Sequence, residues 1–155
     1  MKKNAVMSDF FRNFAAQNQI DMEYNTCIEE RNEALRQTYN KVVSANGVNK
    51  MFLNKAALIR IVVEQPAPKF YCTPEWAQRY IAAYYSKRSQ WMLKNGRGKL
   101  RRDMILDLVE QYEKLQAANP DAPKKWLYDN VVEQPAKSFY VSARRAAEII
   151  FNYAI

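Results

Sequence analysis

Two stretches decide the fold. Residues 62–81 read VVEQPAPKFYCTPEWAQRYI, and residues 131–150 read VVEQPAKSFYVSARRAAEII. Both open on VVEQPA, 69 positions apart, and ten of the twenty aligned positions are identical. Unrelated segments would share about one or two at ordinary residue usage. Phe70-Tyr71 aligns with Phe139-Tyr140, Thr73 with Ser142, Ala77 with Ala146 and Ile81 with Ile150. An internal duplication therefore organises the chain.

Each stretch has a local physical reading. Pro66 and Pro135 end a helix, because proline disfavours α geometry in the residue before it. Phe70, Tyr71, Phe139 and Tyr140 plug the space between helices. Thr73 and Ser142 cap the helix that follows, and Pro74 takes its favoured first position.

Working outward, apolar spacing predicts helices almost throughout. Ser8 caps one to about Gln17, and Asp21 caps a second over Met22 to Asn46, with Tyr24, Ile28, Leu35, Tyr39 and Val42 on one face. Gly47 stops it. Asn54 caps the next, in which Leu58, Ile61 and Val62 face inward. The helix after Thr73 is expected to reach Asn95-Gly96, with Tyr80, Ile81, Tyr84, Trp91 and Met92 along it. A helix from Arg101 to Ala118 follows, broken by Asn119-Pro120. The next starts near Pro123 and ends before Pro135, and the last runs from Ser142 to about Tyr153.

The expected architecture is all-α, with two similar helical units. An N-terminal helix or arm spans 1–20, the first unit 21–95, a basic connector 96–102 and the second unit 103–155. The Phe-Tyr links are the only candidate strands, and their equivalence suggests a minimal two-stranded ribbon.

Composition narrows the function. The chain has 155 residues, three glycines and no histidine. Ser-His-Asp and Cys-His catalysis, imidazole-held zinc and a histidine pH switch are therefore excluded. No phosphate-binding glycine loop, dinucleotide fingerprint or nucleophile elbow is present. The acidic triplets Glu29, Glu30, Glu33 and Asp103, Asp107, Glu110 read as solvated helix faces. Asp103 and Asp107 are spaced to hold a metal, but no second acidic pair accompanies them. No enzyme, cofactor or metal is expected. Cys27 and Cys72 lie far apart in sequence and read as reduced, partly buried thiols.

Charge points to a partner. Lys+Arg total 24 against 16 Asp+Glu, a net charge of +8. Residues 76–102 hold eight basic residues and no acidic one, so this segment carries the whole net charge. Lys87, Arg88, Lys94, Arg97, Lys99, Arg101 and Arg102 form its dense part, with Gly96 and Gly98 for flexibility. Such a cluster neutralises phosphates without reading sequence, or meets an acidic protein surface. A solvated, solubilising surface is the plain alternative. Tyr84, Tyr85 and Trp91 beside Lys87 and Arg88 either stack on bases or belong to the core.

The Ser/Thr-capped helices also admit a helix-turn-helix reading. Glu75, Trp76 and Arg79 would face DNA in the first unit, and Arg144, Arg145 and Glu148 in the second. The seven-residue link from Pro66 to Cys72 is longer than the usual turn of that motif, and the two first turns differ in residue type. Lys2 and Lys3 resemble the start of a signal peptide, but Ser8, Asp9, Arg12 and Asn13 interrupt any apolar run. No stretch suits a membrane span. The host cytoplasm, or a particle assembled there, is the expected location.

The segments Pro66-Ala67-Pro68-Lys69-Phe70-Tyr71-Cys72-Thr73 and Pro135-Ala136-Lys137-Ser138-Phe139-Tyr140-Val141-Ser142 resemble a recurrent P-A-P-R-F-Y-V-S segment. It occurs in short, mostly uncharacterised proteins of phages and mobile elements of gut bacteria. Lys69 stands where arginine is usual, and the second copy lacks the second proline. The likeness covers about 20 residues per copy and implies a phage or mobile-element origin, with no functional residues to transfer. The expected function is a non-enzymatic structural or assembly component of a phage particle. It would dock on other virion proteins within a larger assembly, with the basic segment facing DNA or an acidic neighbour. The alternative is a small DNA-binding regulator built on duplicated helix-turn-helix-like units.

Overall fold

A computed structural model describes residues 2–45, 54–86 and 98–151, with side chains from residue 12 onward except residue 20. The described residues form six helices: α1 (Lys2–Ala45), α2 (Lys55–Glu64), α3 (Pro74–Tyr85), α4 (Lys99–Ala118), α5 (Lys124–Val131) and α6 (Ala143–Phe151). The chain is all-α, and no strand occurs among the described residues. No described helix is long and apolar enough to cross a membrane.

Three of the expected caps form. Asn54 accepts the Ala57 N–H at 2.8 Å, Thr73 the Trp76 N–H at 3.3 Å, and Ser142 the Arg145 N–H at 3.1 Å. Each fills an orphan donor and contributes about 1 kcal/mol. Gly98 precedes α4 with φ +74°, a conformation that suits glycine.

Three helix boundaries differ from expectation. Ser8 does not start a helix, because α1 begins at Lys2 and runs through it and through Gln17. The break at Asp21 is absent, and α1 runs unbroken for 44 residues. No glycine or proline interrupts it, and the Asp21 carboxylate accepts the Gln17 side-chain amide one turn back at 3.0 Å rather than capping a new start. α3 ends at Tyr85 rather than Gly96. Ser86 turns extended, its N–H and hydroxyl both satisfying the last carbonyls, including that of Ala83. The expected Trp91 and Met92 positions, and the Gly47 stop, lie outside the described residues.

The helices pack as two groups of three. α1, α2 and α6 contact one another, as do α3, α4 and α5. The helix after each VVEQPA motif thus packs with the helix before the other motif. Leu35, Val42, Leu58, Ile59, Val62, Ala146 and Ile149 are buried in the first group. Ala77, Ile81, Ile105, Leu108, Val109, Tyr112, Leu127 and Val131 are buried in the second. Each large apolar side chain among them contributes about 1.5–3 kcal/mol.

This exchange requires the two links to pass one another. They do so at Ala67 and Ala136, which donate to and accept from each other in an antiparallel bridge, both N···O distances 3.0 Å. Both alanines are buried, and their short side chains let the backbones approach. The expected Phe-Tyr ribbon is replaced by this single bridge three residues earlier in each link. Phe70 and Phe139 are instead drawn inward as buried plugs, 2% and 5% exposed. Phe70 still donates its backbone N–H to the Val132 carbonyl at 2.9 Å, so the links share one bridge and this bond rather than a ribbon.

Candidate interaction surfaces

The two links sit in different environments, and the difference arises from the long helix beneath each. Counted back from their last residues, Ala45 and Ala118, α1 and α4 carry Leu35 and Leu108, Tyr39 and Tyr112, and Val42 and Leu115 at the same steps. On that count Asp107 stands where α1 has Ala34, and Glu110 where α1 has Gln37.

Asp107 was expected on a solvated face. It is 2% exposed. Its Oδ2 accepts the Lys137 N–H at 2.9 Å and the Tyr140 hydroxyl at 2.6 Å. Its Oδ1 is buried without a hydrogen-bond partner. Tyr140 sits at φ +55°, a strained region for a residue with a large side chain. Burial first, and then the Asp107 carboxylate, push its phenol well above the usual tyrosine range. Glu110 completes the site by accepting from Lys137 Nζ at 2.5 Å and Lys114 Nζ at 3.1 Å. The first of these lowers the Glu110 carboxyl below its ordinary value most strongly. This cluster fixes the second link. Among the described residues no group of three or more metal-ligating side chains occurs.

Link one lacks each of these ties. Pro68, at the Lys137 position, has no N–H to donate. Ala34 offers no carboxylate and Gln37 no charge. Tyr71 takes the Tyr140 position, its ring stacked on Phe139 at 6.1 Å. An open groove of about 680 Å³ results. Its floor is Ala34, Pro68 and Tyr71, and its rim is Glu29, Glu30, Glu33 and Glu133, with Lys69 among them. Lys69 Nζ lies 2.6 Å from Glu30, 3.9 Å from Glu133 and 5.8 Å from the Tyr71 ring centre. The hydrogen bond to Glu30 raises the Lys69 pKa, so the ammonium persists. Glu29, Glu30 and Glu33 are exposed on α1, in keeping with a solvated face. Nothing in the one-dimensional pattern places Glu133 beside them.

The basic residues singled out in the sequence divide. Lys87, Arg88, Lys94 and Arg97 lie outside the described residues. Lys99 and Arg101 are exposed in the first turn of α4, and Arg102 is half-buried. Arg144 and Arg145 are exposed in the first turn of α6 and lie 3.6 Å and 3.2 Å from Glu148. The structure brings further cations near these. Arg31, half-buried on α1, has its pKa lowered by burial and then by nearby Arg145. Arg101 acts on Tyr80, whose phenol burial raises. Tyr24 acts on both Arg31 and Tyr80. Arg31, which interrupts an apolar stripe in the sequence, is thus near enough to Arg145 to feel its charge. Of the helix-turn-helix candidates, Glu75 is exposed and Arg79 lies 5.2 Å over the Trp76 ring.

Pro66 and Pro135 are exposed at the helix ends, while Thr73 is buried and Ser142 exposed at their caps. Cys27 and Cys72 are free and half-buried. Burial pushes the Cys72 thiol up to about 12 and raises Cys27 as well, so neither is a thiolate at neutral pH.

A third surface is α1 itself. Its described side chains from Arg12 to Thr26 are all exposed, including Phe14 (58%), Met22 (69%) and Tyr24 (48%). The apolar stripe that buries Leu35 and Val42 continues onto this part, where no described residue covers it.

No family model, curated protein or solved structure matches the chain.

Proposed function

We propose that the chain is a non-enzymatic assembly component of a phage particle, docking on neighbouring proteins with its basic segment toward DNA or an acidic surface. The observation that carries the reading is α1. A helix of 44 residues spans about 66 Å at 1.5 Å per residue. From Arg12 to Thr26 it presents large apolar side chains to solvent rather than to its own core. Exposed apolar groups on a projecting element are a docking surface. The phage origin rests on the resemblance of the two link segments, and the absence of chemistry rests on the missing histidine and motifs.

We further propose that the two halves arose by duplication. The ten shared positions, the matching steps of α1 and α4, and the bridge between equivalent alanines support it. The regulator reading has less support. In a helix-turn-helix unit the two helices pack on each other, whereas α2 and α3 pack in separate groups here.

Fluorescence anisotropy with random duplex DNA at several salt concentrations tests the reading. It is repeated with Lys94, Arg97, Lys99, Arg101 and Arg102 changed to alanine, alongside assay of purified particles for the chain. The expected result is fixed copy number in particles, with weak, sequence-blind DNA binding or none. Any binding should fall by about 0.9 log units per log unit of salt for each phosphate neutralised, and collapse in the variant. Absence from particles, with one DNA sequence bound about 10³-fold more tightly than bulk, overturns it in favour of a regulator.

A further inference from the structure

The groove beside link one has a partner chemistry written into the same chain. Its rim carries four glutamates against one lysine. Its floor is apolar and aromatic, with the Tyr71 ring held in place by its stack on Phe139. At the equivalent position the chain fills this space with its own Asp107 and ties the link down. Here Ala34 and Pro68 leave it open. A ligand for such a site carries several cations around an apolar or aromatic group. Residues 87–102 read KRSQWMLKNGRGKLRR, with seven cations, no acid, and Trp91-Met92 between Arg88 and Lys94.

We propose that the groove binds the basic segment 87–102 of a second copy, joining copies head to tail. Trp91 or Met92 meets the floor of Ala34, Pro68 and Tyr71, and the flanking cations meet Glu29, Glu33 and Glu133. The groove belongs to α1 and the links, while Lys99, Arg101 and Arg102 of the segment lie in the first turn of α4, in the other helix group. A contact between unlike surfaces leaves one of each free at the ends. It therefore propagates into a filament or closes into a ring. The proposal rests on the reading above that the basic segment docks on an acidic neighbour, and it names that neighbour.

The test is sedimentation velocity of the full chain over a concentration series at low and high salt. Two charge-reversed variants accompany the wild type. Glu29→Lys with Glu33→Lys alters the rim at exposed positions, and Lys94→Glu with Arg97→Glu alters the segment. The wild type is expected to grow with concentration and to dissociate at high salt. Each variant alone is expected to lose association at least tenfold. Mixed, they are expected to associate again, because the intact groove of one meets the intact segment of the other. Circular dichroism of each variant establishes that it is folded. A wild type that stays monomeric at every concentration, as it would if each copy filled its own groove, overturns the proposal. So does a rim variant that associates as the wild type does. A monomeric wild type whose salt-dependent DNA binding is lost in the segment variant overturns head-to-tail docking but leaves the wider assembly reading standing.

Discussion

Asp107 and Tyr140 share a 2.6 Å hydrogen bond that ties the middle of α4 to the second link. The same carboxylate oxygen holds the Lys137 N–H. The pair keeps Tyr140 in a left-handed conformation that a tyrosine does not adopt unaided. The chain thereby locks one of its two links and leaves the other open.

Asp107→Ala is expected to lower stability by about 2–4 kcal/mol, because a buried N–H and a hydroxyl lose their acceptor. Tyr140→Phe should cost about 1–3 kcal/mol, since the buried carboxylate then keeps one partner fewer. The double variant should cost less than the sum, the two groups being coupled. Urea unfolding of the four proteins measures all three quantities, and strict additivity would refute the coupling.

Alkaline pH should weaken the fold. The folded Tyr140 phenol titrates well above its unfolded value of about 10, and the folded Cys72 thiol near 12 against an ordinary 9. Both groups bind their protons more tightly folded than unfolded. Their contribution is whole below the unfolded pKa values and is lost as pH rises through the interval to the folded ones. The urea midpoint should fall from about pH 9 upward, with a shallower fall in Tyr140→Phe. A midpoint flat to about pH 11 would contradict the burial of both groups.

The exchanged packing separates the effects of two core isoleucines, one in the helix after each motif. Ile149 of α6 is buried against α1 and α2, whereas Ile81 of α3 is buried against α4 and α5. Each isoleucine-to-alanine change should cost about 2–5 kcal/mol. Amide exchange read residue by residue should show Ile149→Ala loosening α2 more than α5, and Ile81→Ala the reverse. A neighbour-in-sequence packing would give the opposite pattern.

Local structure was legible in the sequence wherever short-range chemistry decides it. Asn54, Thr73 and Ser142 cap because an oxygen three residues before an orphan N–H needs no distant partner. Pro66 ends its helix for a reason confined to the adjacent residue, whereas α5 already stops at Val131, ahead of Pro135. The inward stripe of Ile105, Leu108 and Tyr112 follows from helical period alone. Asp107 was misread because an acid between apolar residues looks solvated until a tyrosine 33 positions away is folded over it. Asp21 was misread as a cap because an aspartate suits both a helix start and a bond to the preceding turn.

The sequence by itself determined that the chain is helical, where the two links lie, and that its net charge sits in one segment. These follow from spacing, proline and composition, which act over a few residues. Only the tertiary structure decided which helices share a core. α3 packs with α4 and α5, and α6 with α1 and α2, on either side of the bridge between Ala67 and Ala136. The groove is likewise a tertiary property. It exists because Ala34, Pro68 and Glu133, unremarkable apart, meet where the other half of the chain places a buried carboxylate.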